Sequence, residues 1–570
     1  MLAAAAMMSA VAQDTKRPVI AANPMVLNYR FQPLDNDPAR REAADPVCEF
    51  VNGKYYLFAS KSGGYWSSEN LADWKYIPAP SIGTINDYAP TILWMDGTLY
   101  YMASDTNRLF KTTTPDDGNS WVEVESKFPY ADQHDPSLFR DDDGKVYLYW
   151  GCHDVKPIVG VEVDPRDGFK PKGVPDTLIL HNTDKYGWEV PGHNNEETFR
   201  NGWNEGPAML KRDGKYYLQY AGPGTQYRIY ADGIYVSDNP LGPFTYCKDN
   251  PFSIKPGGFI GAAGHGHTFA DKYGNLWHVA SMLVGVRHRF ERRLGLFPVM
   301  YNPKSDNLQA FTLWSDYPFV IPQEKADFSY TSQSTGWKQL AEGKTPHASS
   351  FLMDHRKEAA VDETIETWWS AATGKPGEWF MVDLGRESTV NAIQVNFADE
   401  GFELRLPCEP VIYRYVIEGS KDGKNWQTLA DKSANTADLP HELFVLDTPR
   451  QLRYVRVTNR GELPEPGKFS LYDLRVFGTD NTPGHASVSA TAPGSATALP
   501  EVTNFKAERD ANDRRIYNFT WDPTPGAQGY IIYWGSEPDN LCHAMMVRGT
   551  SHQSRFFDRD APYHFRIEPF

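Results

Sequence analysis

One phrase, written five times in the first half of the chain, constrains the fold more than any other feature. It runs from a small polar start through an apolar pair and a turn to a tyrosine-rich strand. The copies are DPVCEFVNGKYYLFAS from Asp45, APTILWMDGTLYYMAS from Ala89, DPSLFRDDDGKVYLYWG from Asp135, EGPAMLKRDGKYYLQYAG from Glu205 and a degenerate GHGHTFADKYGNLWHVAS from Gly264. Asn-Gly and Asp-Gly supply the positive φ angles of two-residue hairpins, so each copy predicts strand, tight turn, strand. The spacing is 44 residues from Pro46 to Pro90, 46 to Pro136, 71 to Pro207 and 60 to His267. Intervals of that size hold four strands and their loops, which is one propeller blade. Unrelated hairpins in a sandwich would not repeat one phrase at blade-like intervals. The expected fold is all-β, led by a five-bladed β-propeller over residues 23–328.

Composition removes several functions. The 570 residues exceed what one core can hold. A net charge of −16 argues against nucleic acid, whose phosphates need clustered cations. No apolar run reaches the roughly 18 residues of a membrane span, so no membrane insertion is expected. The five cysteines (Cys48, Cys152, Cys247, Cys408 and Cys542) form no CxxC pair and read as small buried apolar side chains. Residues 2–12 carry no charge and end in Ala10-Val11-Ala12, so residues 1–22 resemble a signal peptide lacking its basic start. A secreted, periplasmic or cell-surface location is expected.

In a propeller the first strand of each blade lines the central channel, so residues at the strand starts converge at one mouth. Here those residues are Asp45, Ala89, Asp135, Glu205 beside Gly206, and the pair His265 and His267. A lone Asp-Pro is usually a turn starter. Three carboxylates in a common register predict a functional funnel.

The ordered set Asp45-Pro46, His134-Asp135-Pro136 and Glu205-Gly206-Pro207 resembles glycoside hydrolase family 43, a five-bladed propeller family of inverting, exo-acting enzymes on plant polysaccharides. The resemblance covers about 300 residues. It implies Asp45 as general base, Glu205 as general acid, and Asp135 as the group that raises the pKa of Glu205 and orients it. Inverting hydrolysis needs a base for water and an acid for the leaving oxygen, set apart by the width of that water. Tyr88, Trp203 and Tyr227 are candidates to stack on sugar faces, and Arg292 to bind hydroxyls or steady a carboxylate. Gly264-His265 matches a pair whose His, in family relatives, holds a central calcium or a water cluster. That makes His265 a candidate for substrate binding and for metal ligation, with a structural calcium left open and no cofactor required by the carboxylate chemistry.

The second half changes character. AVDETIETWWSAATGKPGEWFMVDLGRESTVNAIQV, YRYVIEGSKDGKNWQTL and RYVRVTNRGELPEPGKFSLYDLRVFG resemble the coagulation factor 5/8 type C (discoidin-like) module, a β-sandwich jelly roll over residues 329–478. Alternation in Tyr454-Val455-Arg456-Val457 predicts a strand with one buried face. The resemblance leaves open whether that module binds sugar or only spaces the domains. Residues 479–499, rich in Ser, Thr, Ala, Gly and Pro, read as a linker. Residues 500–570 resemble a fibronectin type III module, a small immunoglobulin-like sandwich with Trp521 in its core, shorter than the usual length.

The expected function is release of terminal pentosyl units, α-L-arabinofuranosyl or β-D-xylosyl, from an oligo- or polysaccharide. A β-galactosidase or galactofuranosidase of the same fold is the near alternative, and a non-catalytic carbohydrate-binding protein the distant one. The trio argues against the last, since an inactivated relative would usually have lost Asp45 or Glu205. Oligomeric state is not legible.

Overall fold

The computed structural model describes residues 17–34, 37–104, 108–130, 133–402, 410–480 and 499–570. Most of the signal-like stretch, most of the expected linker and Cys408 lie outside the described residues. Five antiparallel sheets follow one another. The first is Val47–Val51, Lys54–Phe58, Gly64–Ser68 and Lys75–Pro78, and the second is Thr91–Met95, Thr98–Met102, Leu109–Thr112 and Val122–Val124. The third is Ser137–Arg140, Val146–Trp150 and Ile158–Asp164, whose outer edge carries both Lys170–Pro171 and Asp176–Ile179. The fourth is Glu205–Arg212, Lys215–Gly222, Ala231–Ser237 and Thr245–Tyr246, and the fifth is Gly261–Ala270, Leu276–Leu283, Arg292–Asn302 and Asn307–Ala310. The first strand of each sheet touches the first strand of the next, and that of the fifth touches that of the first. The ring is closed, and the sheets are five propeller blades.

The hairpin turns obey their sequences. Asn52-Gly53, Asp96-Gly97 and Asp213-Gly214 all have both turn residues at positive φ, between 49° and 89°. Blades 3 and 5 turn on longer loops, in which Asp141 N bonds Lys145 O and Asp271 N bonds Asn275 O, so only the glycine is left-handed.

Tyrosines and aliphatics on facing blades bury one another between each adjacent pair. Tyr56, Phe58 and Tyr65 meet Ile92, Tyr101 and Trp121 between blades 1 and 2, for example. Near the ends of this region Val19–Ala21 pairs antiparallel with Phe319–Ile321.

Residues 338–480 form an eight-stranded antiparallel assembly around Trp369, Phe380, Ile393, Val455, Val457 and Phe469. Val455 and Val457 are buried, whereas Tyr454 and Arg456 are half-exposed, as the alternation predicts. Residues 506–569 form two three-stranded sheets. Trp521 is 5% exposed, and its core is continuous with blades 3 and 4 through Trp188, Tyr220, Phe556 and Phe557. Burial of a side chain such as Phe557 contributes about 1.5–3 kcal/mol.

The jelly roll is joined to the propeller by buried charge. Arg41, fully buried, donates to Asp399 at 2.6 and 3.1 Å and lies 2.8 Å from Asp438. Arg293 donates to His441 at 2.9 Å, and Ile365 N bonds Phe259 O.

Candidate active site

Each blade presents one left-handed residue where its innermost strand meets the channel mouth. These are Asp45 (φ 51°), Ala89 (44°), Asp135 (55°), Gly206 (59°) and His265 (47°). Non-glycine residues seldom adopt this conformation, and it persists only where surroundings enforce it. The enforcement comes from the neighbouring blade. Ser281 Oγ accepts from Asp45 N, Ser60 Oγ from Ala89 N and Ser104 Oγ from Asp135 N, each at 2.8 Å. Asp232 does the same for His265 N and Gly266 N at 2.7 and 2.8 Å. The three serines are the last letters of FAS, MAS and VAS in the repeated phrase, a signal present in the sequence whose role emerges only in the ring.

Blade 4 breaks the register. Its left-handed residue is Gly206, so Glu205 lies one position earlier, and the ladder slips between Glu205 and Ala208. A Cβ on Gly206 would lie 2.5 Å from the His265 ring, so the site requires glycine there. Gly206 N donates to Asp135 Oδ2 at 3.2 Å.

The electrostatics separate Asp45 from Asp135. Burial alone would raise Asp45, but Arg292, the His265 imidazole and the Ser60 hydroxyl outweigh it and hold Asp45 below the usual carboxylate range. Ser60 Oγ donates to Asp45 Oδ2 at 2.6 Å, and Arg292 Nη1 to Oδ1 at 2.9 Å. Asp135 is pushed up to about 7 by burial, and Glu205 and Asp45 add to the rise while His265 opposes it. Glu205 accepts from Trp203 Nε1 at 2.7 Å, from Cys152 Sγ at 3.2 Å and from Tyr230 Oη. Four carboxylates (Asp45, Asp135, Glu205 and Asp232) push His265 upward against its burial, which favours the imidazolium.

Asp45, Asp135, Glu205, Tyr88, Trp203, Tyr227, His265 and Arg292 all line one cavity of about 740 Å³, within the usual range for small-molecule sites. Arg292 takes the carboxylate-steadying part of its expected role, bridging Asp45 to the buried Glu42. Tyr227 is 5% exposed, and its hydroxyl donates to Glu197 at 2.9 Å. Tyr88 and Phe290 pack on one side of the mouth, and Trp203 lies parallel to His153 on the other.

Sequence reasoning missed Cys152, Tyr230 and Thr225. Cys152 corrects the expectation of small buried apolar cysteines, because its thiol faces the cavity and Glu205. It follows the second strand of blade 3, one residue past Gly151, which stands where blades 1, 2 and 5 have serine.

The residues at His265 do not fit a calcium cage. Its Nδ1 faces Asp45 Oδ1 at 3.3 Å and Asp135 Oδ2 at 3.8 Å. Calcium takes six to eight oxygen ligands, and the groups that face this ring are two carboxylates. Among the described residues, metal-ligand spacing is met instead by Asp135, Cys152 and Glu205, a set without His265.

One wall of the cavity comes from the long excursion between blades 3 and 4, which supplies Pro191, Arg200, Asn201 and Trp203. The C-terminal sandwich braces it from behind. Gly187 N bonds Phe557 O at 3.1 Å, Arg559 N bonds Lys185 O at 2.7 Å, and Arg515 donates to Thr183 O.

Fold and site together define a five-bladed propeller with three carboxylates and a buried arginine gathered at one channel mouth. Residues 38–304 match the model of Glycosyl hydrolases family 43, and residues 327–472 match that of the F5/8 type C domain. The chain therefore carries a glycosyl hydrolase family 43 domain followed by an F5/8 type C domain. A xylan 1,3-beta-xylosidase of Vibrio sp is 26% identical over 284 residues, covering 45% of this chain and 45% of the relative. A beta-D-galactofuranosidase of Aspergillus niger is 25% identical over 238 residues, 35% of this chain and 63% of the relative. An arabinoxylan arabinofuranohydrolase of Paenibacillus polymyxa is 32% identical over 152 residues, 25% of this chain and 22% of the relative. The chain thus spans between 22% and 63% of the length of these relatives. A solved glycoside hydrolase is similar over 76% of this chain and 97% of its own, with 20% identity and a TM-score of 0.45.

Proposed function

We propose that the protein is an inverting, exo-acting glycoside hydrolase that releases terminal arabinofuranosyl or xylosyl units from a plant polysaccharide. The observation that carries the reading is the convergence of Asp45, Asp135 and Glu205 on one cavity with unequal environments. Asp45, held ionised by Arg292 and Ser60, takes the proton of the attacking water as general base. Glu205 protonates the glycosidic oxygen. Its Oε1 faces the Tyr230 hydroxyl, which can accept as well as donate, so the acid keeps a partner in either protonation state. Asp135 holds the Gly206 amide and, through it, the turn that presents Glu205. No step passes through a metal. The names of the xylosidase and arabinofuranohydrolase relatives support the pentosyl substrate.

The six-stranded sandwich over 506–569 is read as a fibronectin type III-like module whose work here is support. A polysaccharide substrate and the uncharged residues 2–12 support export to the periplasm or beyond.

The test is hydrolysis of p-nitrophenyl α-L-arabinofuranoside, β-D-xyloside, β-D-galactoside and β-D-galactofuranoside, with the anomer of the first product followed by NMR. Turnover of a pentoside with inversion supports the reading. Turnover of the galactofuranoside alone favours the second reading, to which the Aspergillus niger relative points. Retention of configuration, or no turnover, overturns the proposal.

A further inference from the structure

The wall between blades 3 and 4 ends in a side chain that the hydrolytic scheme leaves unused. Phe199 is 81% exposed. A scattered exposed hydrophobe needs no explanation by itself, but Phe199 is distinguished by its position and its support. The next two residues, Arg200 and Asn201, line the cavity, and the Arg200 guanidinium carbon lies 5.7 Å from the Phe199 ring centroid. The turn is braced on both sides. Glu197 Oε2 receives Tyr227 Oη at 2.9 Å and lies 2.9 Å from Arg200 Nε, while Asn201 Nδ2 donates to Asp154 Oδ2 at 3.1 Å. Tyr227 and Asp154 are themselves cavity residues. Behind the turn, Gly187 and Lys185 are bonded to the C-terminal sandwich.

A flat apolar ring is thus presented to water on a supported rim, beside a guanidinium and an amide, at the mouth of a cavity that ends on the carboxylates. An aromatic face meets the C–H face of a sugar, and the flanking polar groups meet its hydroxyls. We propose that Phe199, with Arg200 and Asn201, forms a subsite for the neutral sugar residues that adjoin the cleaved unit on its leaving-group side. This rests on the glycosidase reading above and extends it. The enzyme grips the polymer outside the cavity, so its preferred substrate is a chain and not an isolated glycoside.

The experiment compares wild type, Phe199→Ala and Phe199→Trp on xylo- and arabinoxylo-oligosaccharides and on the matching p-nitrophenyl glycoside. The ratio of kcat/KM for oligosaccharide to that for nitrophenyl glycoside is expected to fall about tenfold in Phe199→Ala, the scale of one aromatic contact, and to recover in Phe199→Trp. A second arm needs no turnover. In a Glu205→Gln background, calorimetric Kd values for the same oligosaccharides are expected to rise about tenfold with Phe199→Ala. If wild type hydrolyses nothing but the Kd depends on residue 199, the catalytic reading fails and the subsite stands. An unchanged ratio together with an unchanged Kd overturns the subsite, as does absence of oligosaccharide binding.

Discussion

Arg292 Nη1 lies 2.9 Å from Asp45 Oδ1, and the same guanidinium holds Glu42 through Nε and Nη2 at 2.9 and 2.5 Å. Glu42 itself is pushed up to about 7 by burial, against the pull of Arg292. One buried cation therefore serves two buried acids, and only Asp45 faces the cavity.

Replacing Arg292 by Met removes the charge that lowers the Asp45 pKa. Asp45 works as a base only when ionised, so the acidic limb of the pH–rate profile is expected to move to higher pH, with kcat down at least about tenfold at pH 6. An acidic limb that stays in place would disconnect Arg292 from the ionisation of the base.

Asp45→Asn and Glu205→Gln should each lower kcat by at least about 10²-fold on natural oligosaccharides. The two are expected to differ on a nitrophenyl glycoside, whose leaving group needs little protonation. There Glu205→Gln should recover much of its rate and Asp45→Asn none. Equal recovery by both variants would contradict the assignment of acid and base.

Asp135 titrates near 7 in the folded protein, above its ordinary 3.8. A raised folded pKa stabilises the protein below the unfolded value, and that contribution is lost as pH rises toward 7. Asp135→Asn is neutral throughout, so its Tm relative to wild type should rise between pH 4 and pH 8. A difference that is flat with pH would mean that Asp135 is not held protonated by its surroundings.

Gly206→Ala places a methyl group 2.5 Å from the His265 ring on a left-handed backbone. A loss of about 1–3 kcal/mol in stability is expected from the backbone, with kcat falling further because Glu205 precedes the distorted turn. Chemical denaturation and kinetics on the purified variant measure the two effects separately.

Asp399→Ala leaves the Arg41 guanidinium buried with only Asp438 as its charged partner. Removing one member of a buried pair costs about 3–5 kcal/mol. If the jelly roll were an independent appendage, urea unfolding of the propeller would not respond. A shared, destabilised transition is expected instead.

The repeated phrase carried the propeller because its information is local: an Asn-Gly or Asp-Gly turn dictates a hairpin wherever it stands, and five copies at blade-sized intervals leave few other ways to bury the tyrosines. The acids Asp45, Asp135 and Glu205 were legible for the same reason, since each opens a copy of the phrase. Which partner meets which acid was not. Arg292 reaches Asp45 across 247 positions, and Cys152 meets Glu205 only because the second strand of blade 3 ends beside the first strand of blade 4. Arg41 finds Asp399 only when the jelly roll docks. Side chains near in sequence are positioned by backbone dihedrals that their own residues choose. Partners far apart meet only after hydrophobic burial has closed the ring, and so the charge state of each acid belongs to the tertiary structure.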